Sequence, residues 1–223
     1  ARKQGAIAFF DTVDPALLPD EVRESLNSGM QKAFGRTQEH QPARDDVQAV
    51  MHLWKRVPEL MDEHAGALKK THGENEFAFM RRCADDAITS CQSMLDFLGA
   101  QNAAARKVTD NNTRDRRMGE NLIWLVKERY RDRRIIAWMA TMHAVHDVQK
   151  IGMAGNPDFY KGVVTCGTVG HQAIGDKMYT IGFTAADGKA GSVWAEEGRS
   201  LEAPPKGSLE DLCLQNGKPF LVI

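Results

Sequence analysis

The sequence lacks most features that would place it in a specialised class of protein. It has only four cysteines in 223 residues, and none forms a C-x-x-C pair, which excludes a disulfide-rich scaffold. A formal net charge of -1 gives no electrostatic reason to expect nucleic acid or an anionic membrane as partner. No run nears the roughly eighteen consecutive apolar residues of a transmembrane helix. We therefore expect a cytoplasmic globular protein with buried or inert thiols.

Several sequence motifs are also missing. There is no Gly-x-Ser-x-Gly elbow, which argues against a serine triad, and no Walker A or dinucleotide-binding fingerprint, so no cofactor is predicted. The first residues lack the apolar core of a signal peptide and an initiator methionine. We therefore expect a chain that was processed or cut from a longer one.

The apolar pattern predicts an α/β fold, an open, mixed sheet with an inserted helical region. The run from Gly5 to Phe10 is typical of a short buried strand, and a helix is expected to follow it up to about Gly35. Three- and four-residue apolar spacing from about Asp45 to Leu98 predicts core-facing helices. We divide the chain into residues 1–35 (part of the α/β core), 36–107 (the helical insertion) and 108–223 (the rest of the α/β part).

A predicted helix from Arg114 to Tyr130 and a predicted strand from Ile135 to Met139 lead to His143. Polar residues after buried strands line the crevice at the carboxyl edge of an open α/β sheet. His143 is therefore the first candidate for a general acid or base. A histidine that is hydrogen-bonded only for structure is the alternative.

Further elements are predicted towards the C-terminus. Asp187-Gly188 is typical of a two-residue hairpin turn. The predicted hairpin strands are residues 178–184 and 191–195. Ser208 and Asp211 form an approximate capping box for a short helix, and a last strand is expected near Phe220.

Four segments together resemble the erythromycin esterase family. They are Arg114, Asp115, Met118 and Asn121; then Trp138, Ala140, Thr141 and His143; then Tyr179 to Thr184; and finally Pro204 to Glu210 with Pro219 to Ile223. Each motif is short, but all four occur in the family's order and cover about residues 108 to 223. The chain looks like the C-terminal two thirds of such a protein.

This resemblance implies a hydrolase that cleaves an ester or macrolide lactone with water activated by a His/Glu pair. His143 would then act as a base or an oxyanion donor, and Arg114 would stabilise developing negative charge. Ala140 stands where better-known members have a second histidine. The alternative is a non-catalytic member of the same fold that binds a small ligand.

Other candidates come from the same segments. Asp115 is predicted in the first turn of a helix, where it either complements the helix dipole or serves the site. Arg114 at that position would oppose the dipole, which favours a role in gripping an oxygen atom. Asn121 is either a packing residue or a substrate contact, and Thr141 is expected to bind substrate.

His146 and His171 are further candidates for substrate binding. His143-x-x-His146 has a spacing that metal pairs can use, but no further ligand lies nearby in sequence, so no metal is predicted. The run Thr71-His72-Gly73-Glu74 resembles part of the family's catalytic signature without the strand that should precede it. We interpret His72 as a turn between helices and expect the principal catalytic histidine outside this chain. The expected partner is a small-molecule ester, and oligomeric state is left open.

Overall fold

The computed structural model describes residues 2–26, 42–100, 103–151, 156–191 and 198–216, and these residues are mainly helical. The helices are α1 (Arg2–Asp11), α2 (residues 20–26), α3 (Arg44–Glu63), α4 (Ala65–His72), α5 (Glu74–Gly99), α6 (Ala103–Trp124), α7 (Thr141–Ala144), α8 (Cys166–Ile174) and α9 (Leu209–Gln215). Two short strands, β1 (Lys189–Ala190) and β2 (Arg199–Ser200), pair antiparallel.

The prediction of an open, mixed α/β sheet is wrong. Within the described ranges the sheet consists of β1 and β2 alone. The run from Gly5 to Phe10 lies inside helix α1, where Phe9 and Phe10 are buried. A six-residue apolar run fits a buried strand and a buried helix turn equally well, so periodicity does not separate the two.

The predicted strand from Ile135 to Met139 is also wrong. These residues run between α6 and α7 without joining a sheet, and the side chains of Ile136 and Trp138 are 93% and 86% exposed. Residues 178–184 likewise form no strand. Strand-like composition produces a strand only when a neighbouring strand pairs with its backbone groups. Most of the second predicted hairpin strand (residues 191–195) lies outside the described residues. The predicted strand near Phe220 lies wholly outside them.

The helical prediction for residues 45–98 is confirmed by α3, α4 and α5. Their apolar faces join α1 and α2 in one hydrophobic cluster around Trp54 and Leu68. Burial of this kind is non-directional and stabilises by about 25 cal/mol per Å² of apolar surface. The first five helices therefore form the scaffold of the molecule.

Helix α6 connects this scaffold to the rest, because α5 packs on one side of it and α8 on the other. It begins at Ala103, well before Arg114, and passes into one wide π-helical turn over Leu125–Arg129. On the α5 side, Arg117 Nε lies 2.7 Å and Asn121 Nδ2 lies 2.8 Å from Asp86 Oδ1. These contacts fix which face of α6 is turned towards α8.

The chain divides into two compact units, Ala1–Thr180 and Ile181–Ile223. In the second unit the N-cap half of the predicted capping box is confirmed, since Ser208 Oγ accepts the backbone N–H of Asp211 at 3.2 Å, while the Asp211 carboxylate accepts from Gly207 N at 2.7 Å. No described helix has the length and apolar character needed to cross a membrane.

Candidate functional site

A buried carboxylate and a partly exposed histidine face each other between α6 and α7. His143 Nδ1 lies 2.8 Å from Asp115 Oδ1 and 3.0 Å from Oδ2. The Asp115 side chain is 1% exposed and that of His143 is 20% exposed. The pair therefore has a buried end, which fixes the ring, and a partly exposed end.

This geometry assigns the proton on the neutral ring. A carboxylate only accepts hydrogen bonds, so Nδ1 carries the hydrogen and Nε2 carries the lone pair. Arg114 Nη2 lies 3.2 Å from that Nε2 atom, and its guanidinium group can only donate. Arg114, Asp115 and His143 thus form one chain of hydrogen bonds that ends on an exposed cation.

Asp115 is also held by helix α8. The backbone N–H of Cys166, the first residue of that helix, lies 3.3 Å from Asp115 Oδ1. The N-terminus of a helix carries unsatisfied N–H groups and partial positive charge, which favour a carboxylate. This arrangement corrects the interpretation of Arg114 and Asp115 as a helix start. Both lie inside α6, and the dipole that Asp115 complements belongs to α8.

His143 lies in the one-turn helix α7 and not at the end of a strand, as the sequence analysis expected. The turn closes through the backbone N–H groups of His143 and Ala144, which both donate to Ala140 O at 2.9 and 3.3 Å. Ala140 itself is extended and precedes the helix, and Thr141 is the first helical residue. A turn this short has little stability of its own, so its position depends on what packs against it.

Helix α8 packs directly against this turn. Thr165, which precedes α8, is fully buried, and its hydroxyl donates to Val145 O while accepting the backbone N–H of Thr168 at 3.0 Å. Next to it, Gly167 is buried so close to α7 that an added Cβ would lie 1.9 Å from Ala144 O. Thr165 therefore joins the start of α8 to the residue after α7, Gly167 packs against the end of α7, and Cys166 contacts Asp115.

Three other predicted site residues, Asn121, His146 and His171, have other partners in the structure. Asn121 faces α5, where its amide bonds to Asp86 and accepts from Arg82 at 3.2 Å. His146 and His171 stack on each other with ring centroids 4.3 Å apart. This contact joins the segment after α7 to α8, so it braces the same junction that holds His143.

The stacking partner of the His146 ring is thus His171. In the part of the chain that the structure describes, no three His, Cys, Asp or Glu side chains are grouped as metal ligands.

Asp147 follows His146 and has a left-handed backbone with φ of 59°. The hydrogen bond from Lys150 lowers the pKa of Asp147, and the charges of Lys150, His146 and His171 act in the same direction.

His72 lies at the end of α4, and Gly73 leads from it into α5. Its Nε2 atom lies 2.7 Å from Phe9 O, and its ring stacks on the Phe9 ring at 4.1 Å. The predicted turn between helices is therefore confirmed, and the contacts of His72 join α4 to α1.

Three residues of this site were missed by the sequence analysis: Thr165, Cys166 and Gly167. A threonine before a helix is a recognisable N-cap, so Thr165 carried a signal that was overlooked within a glycine-rich segment. The backbone contribution of Cys166 leaves no trace in its residue type. Burial and then the charge of Asp115 raise the pKa of its thiol to about 11, which disfavours the reactive thiolate at neutral pH.

A histidine oriented by a buried carboxylate has the chemistry to exchange a proton, and a neighbouring arginine has the charge to stabilise an anion. Comparison with protein families identifies the chain more closely. The family model described as Erythromycin esterase matches residues 2–223, and the chain belongs to that family. Comparisons with curated proteins and with solved structures gave no match.

Proposed function

We propose that the protein hydrolyses an ester or macrolide lactone, and that Asp115, His143 and Arg114 take part in the reaction. The observation that carries this proposal is the position of His143, with Nδ1 on a buried carboxylate and Nε2 directed at an exposed guanidinium. Membership of the erythromycin esterase family supports the reaction class. The substrate class and the roles of the three residues are part of the proposal.

Each group has a distinct role in the proposed reaction. Asp115 holds the ring so that Nε2 has the lone pair and stabilises the imidazolium that forms on protonation. Arg114 moves from Nε2 to the carbonyl oxygen of the ester as that oxygen gains negative charge. The freed Nε2 accepts a proton from water as the water oxygen attacks the carbonyl carbon.

The proton is then available to the leaving alcohol as the ester C–O bond breaks. The products are one carboxylic acid and one alcohol, and in a lactone both groups stay on the same molecule. No covalent enzyme intermediate is needed, which agrees with the lack of a Gly-x-Ser-x-Gly elbow in the sequence.

The test is hydrolysis of erythromycin and a panel of simple aryl esters by wild type and His143→Ala. We expect kcat/KM to fall at least about a hundredfold in His143→Ala, which corresponds to about 2.7 kcal/mol of barrier. His52→Ala is the matched control, because it removes an exposed histidine from α3, and its activity should equal that of wild type.

Two results would overturn the proposal. Hydrolysis that survives in folded His143→Ala would remove that histidine from the reaction. A folded wild-type protein that turns over no ester in the panel would favour the alternative, a member of the family that binds a small ligand without catalysis.

A further inference from the structure

We propose that Gly167 is a positioning residue for His143, because only a residue without a side chain lets α8 press against the α7 turn and hold the ring over Asp115. This inference rests on the proposed function of His143. It adds that the catalytic geometry is set by a contact between two backbones, and that Gly167 itself does not touch substrate.

The close approach is the first argument. A Cβ atom on Gly167 would lie 1.9 Å from Ala144 O, 2.5 Å from Ala144 C and 2.8 Å from Val145 C. All three are backbone atoms, so no rotamer change relieves the overlap. Ordinary van der Waals contact begins at about 3.4 Å, so the two backbone segments must separate by about 1.5 Å to admit a methyl group. Ala144 directly follows His143 in sequence.

The second argument is that α8 cannot move away from α7, because α8 and the residues just before it are bound to α6 at several points. Asn112, Asp115 and Gly119 lie on one face of α6, at the three- and four-residue spacing of neighbouring helix turns. The Asn112 side chain accepts from Val164 N at 2.6 Å and donates to Gly162 O at 2.8 Å.

Gly119 closes the other side of this contact. A Cβ atom there would lie 2.5 Å from Val169 Cβ, so α8 is already packed tightly on α6. Because α8 is fixed, a side chain at position 167 must move the α7 turn instead. Movement of that turn carries His143 away from Asp115.

The expected consequence is a change in the state of the ring. At 2.8 Å the Nδ1 to Asp115 hydrogen bond has good length, and a displacement of more than 1 Å would break it. His143 would then no longer be held with its hydrogen on Nδ1. Misplacement on this scale can cost about a hundredfold in rate even when the reacting groups are all present.

Gly167→Ala is the test, and Gly170→Ala is its matched control. Gly170 is buried in the same helix one turn further on, but the three atoms nearest to its added Cβ belong to flexible side chains: Met178 Sδ at 3.0 Å, Met178 Cε at 3.4 Å and Leu122 Cδ2 at 3.4 Å. Both substitutions raise helix propensity by the same amount, so only the contact with α7 differs.

The first readout is the nitrogen NMR spectrum of histidine-labelled protein, which reports which ring nitrogen carries the hydrogen. The His143 signals are assigned by their loss in His143→Ala. We expect the Nδ1–H form of His143 in wild type and in Gly170→Ala, and its loss in Gly167→Ala. The second readout is ester hydrolysis, where kcat should fall about ten- to a hundredfold in Gly167→Ala with KM within about threefold of wild type.

Thr165→Val covers the case in which Gly167→Ala does not fold. It keeps the shape of the side chain but removes the hydroxyl that donates to Val145 O, so the same loss of the Nδ1–H form is expected to a smaller extent. If Gly167→Ala folds and its His143 spectrum is unchanged, the inference is overturned. If Gly167→Ala is unfolded, an unchanged His143 spectrum in Thr165→Val overturns it. The spectra need no substrate, so they test the positioning of His143 even if no ester is hydrolysed and the proposed function fails.

Discussion

The scaffold helices α1–α5 and the site elements α6–α8 are held together in different ways. The scaffold buries a continuous cluster of apolar side chains around Trp54 and Leu68. The site depends on a buried carboxylate, hydrogen bonds between loops and helix ends, and the near contact of Gly167 with the backbone of α7. Apolar burial tolerates small shifts, whereas these directional contacts do not. Stability and positioning are thus assigned to separate parts of one compact unit.

Each region has one buried thiol that reports on it. Burial alone raises the pKa of Cys91 in α5 to about 11. Burial and the charge of Asp115 raise the pKa of Cys166 to the same value. We therefore expect both thiols to react slowly with alkylating reagents. Faster alkylation of one of them would identify which region has opened.

The largest expected effect separates a buried from an exposed apolar side chain. Leu68→Ala should lower the free energy of unfolding by about 2–5 kcal/mol, because Leu68 is fully buried in the scaffold. Ile136→Ala removes a side chain of equal size that is exposed, and it should change stability by less than about 0.5 kcal/mol. Urea unfolding followed by circular dichroism measures both. If Ile136→Ala were as costly as Leu68→Ala, residues 135–139 would be packed in a sheet core after all.

The next effect is on thiol reactivity. Burial raises the pKa of both Cys91 and Cys166 to about 11, so little of either thiol is thiolate at pH 8. Both should be alkylated far more slowly than the partly exposed Cys83 and Cys213. Gly167→Ala should speed the labelling of Cys166 at least about tenfold and leave Cys91 protected. Mass spectrometry of the labelled peptides distinguishes the sites. Equal acceleration at both cysteines would mean that the two regions open together.

The smallest expected effect concerns acid. Asp62 of α3 bonds to Arg81 of α5, and this hydrogen bond lowers the pKa of the Asp62 carboxyl group. A lowered pKa in the folded state contributes stability that is present above the ordinary aspartate value of about 3.9 and is lost as the pH falls through the lowered one. The melting temperature of Arg81→Met should therefore lie below that of wild type at pH 7 and approach it near pH 3.

The matched control for the acid prediction is Arg131→Met, since the ion pair of Arg131 with Asp132, at 3.7 Å, is exposed. Its melting temperature should follow that of wild type at every pH. A gap for Arg81→Met that stayed constant down to pH 3 would mean that packing of the arginine stem, and not the ion pair, accounts for the difference.

Sequence reasoning succeeded where a regular pattern is long. The three- and four-residue spacing in residues 45–98 extends over many helical turns, and α3–α5 bear it out. It failed for Gly5 to Phe10 and for Ile135 to Met139, because each run is only five or six residues long. Runs of that length acquire their structure from what packs against them, and this information is not local.

The site was predictable in part and for a different reason. The motif resemblance indicated Arg114, Asp115 and His143, and the structure brings these three side chains together. It also indicated Asn121, whereas His146 and His171 were proposed from their positions along the chain. These three side chains contact other partners. Gly167 was not predictable, since the approach of two backbones that are distant in sequence depends on how α8 is placed on α6. A single sequence shows where the glycines are, but not which of them lies at a close contact between two backbone segments.

The central claim is that Asp115 and His143 act as one unit, and a double-mutant cycle tests it most directly. Asp115→Asn, His143→Ala and the double variant would be compared with wild type by kcat/KM on the best ester substrate, with unfolding curves to confirm that each is folded. Residues that act as a unit are strongly non-additive. We predict that each single change lowers kcat/KM by about 10²–10⁴ and that the double variant lies within about threefold of His143→Ala. Losses that multiply in the double variant would show that the two residues contribute independently and would contradict the account.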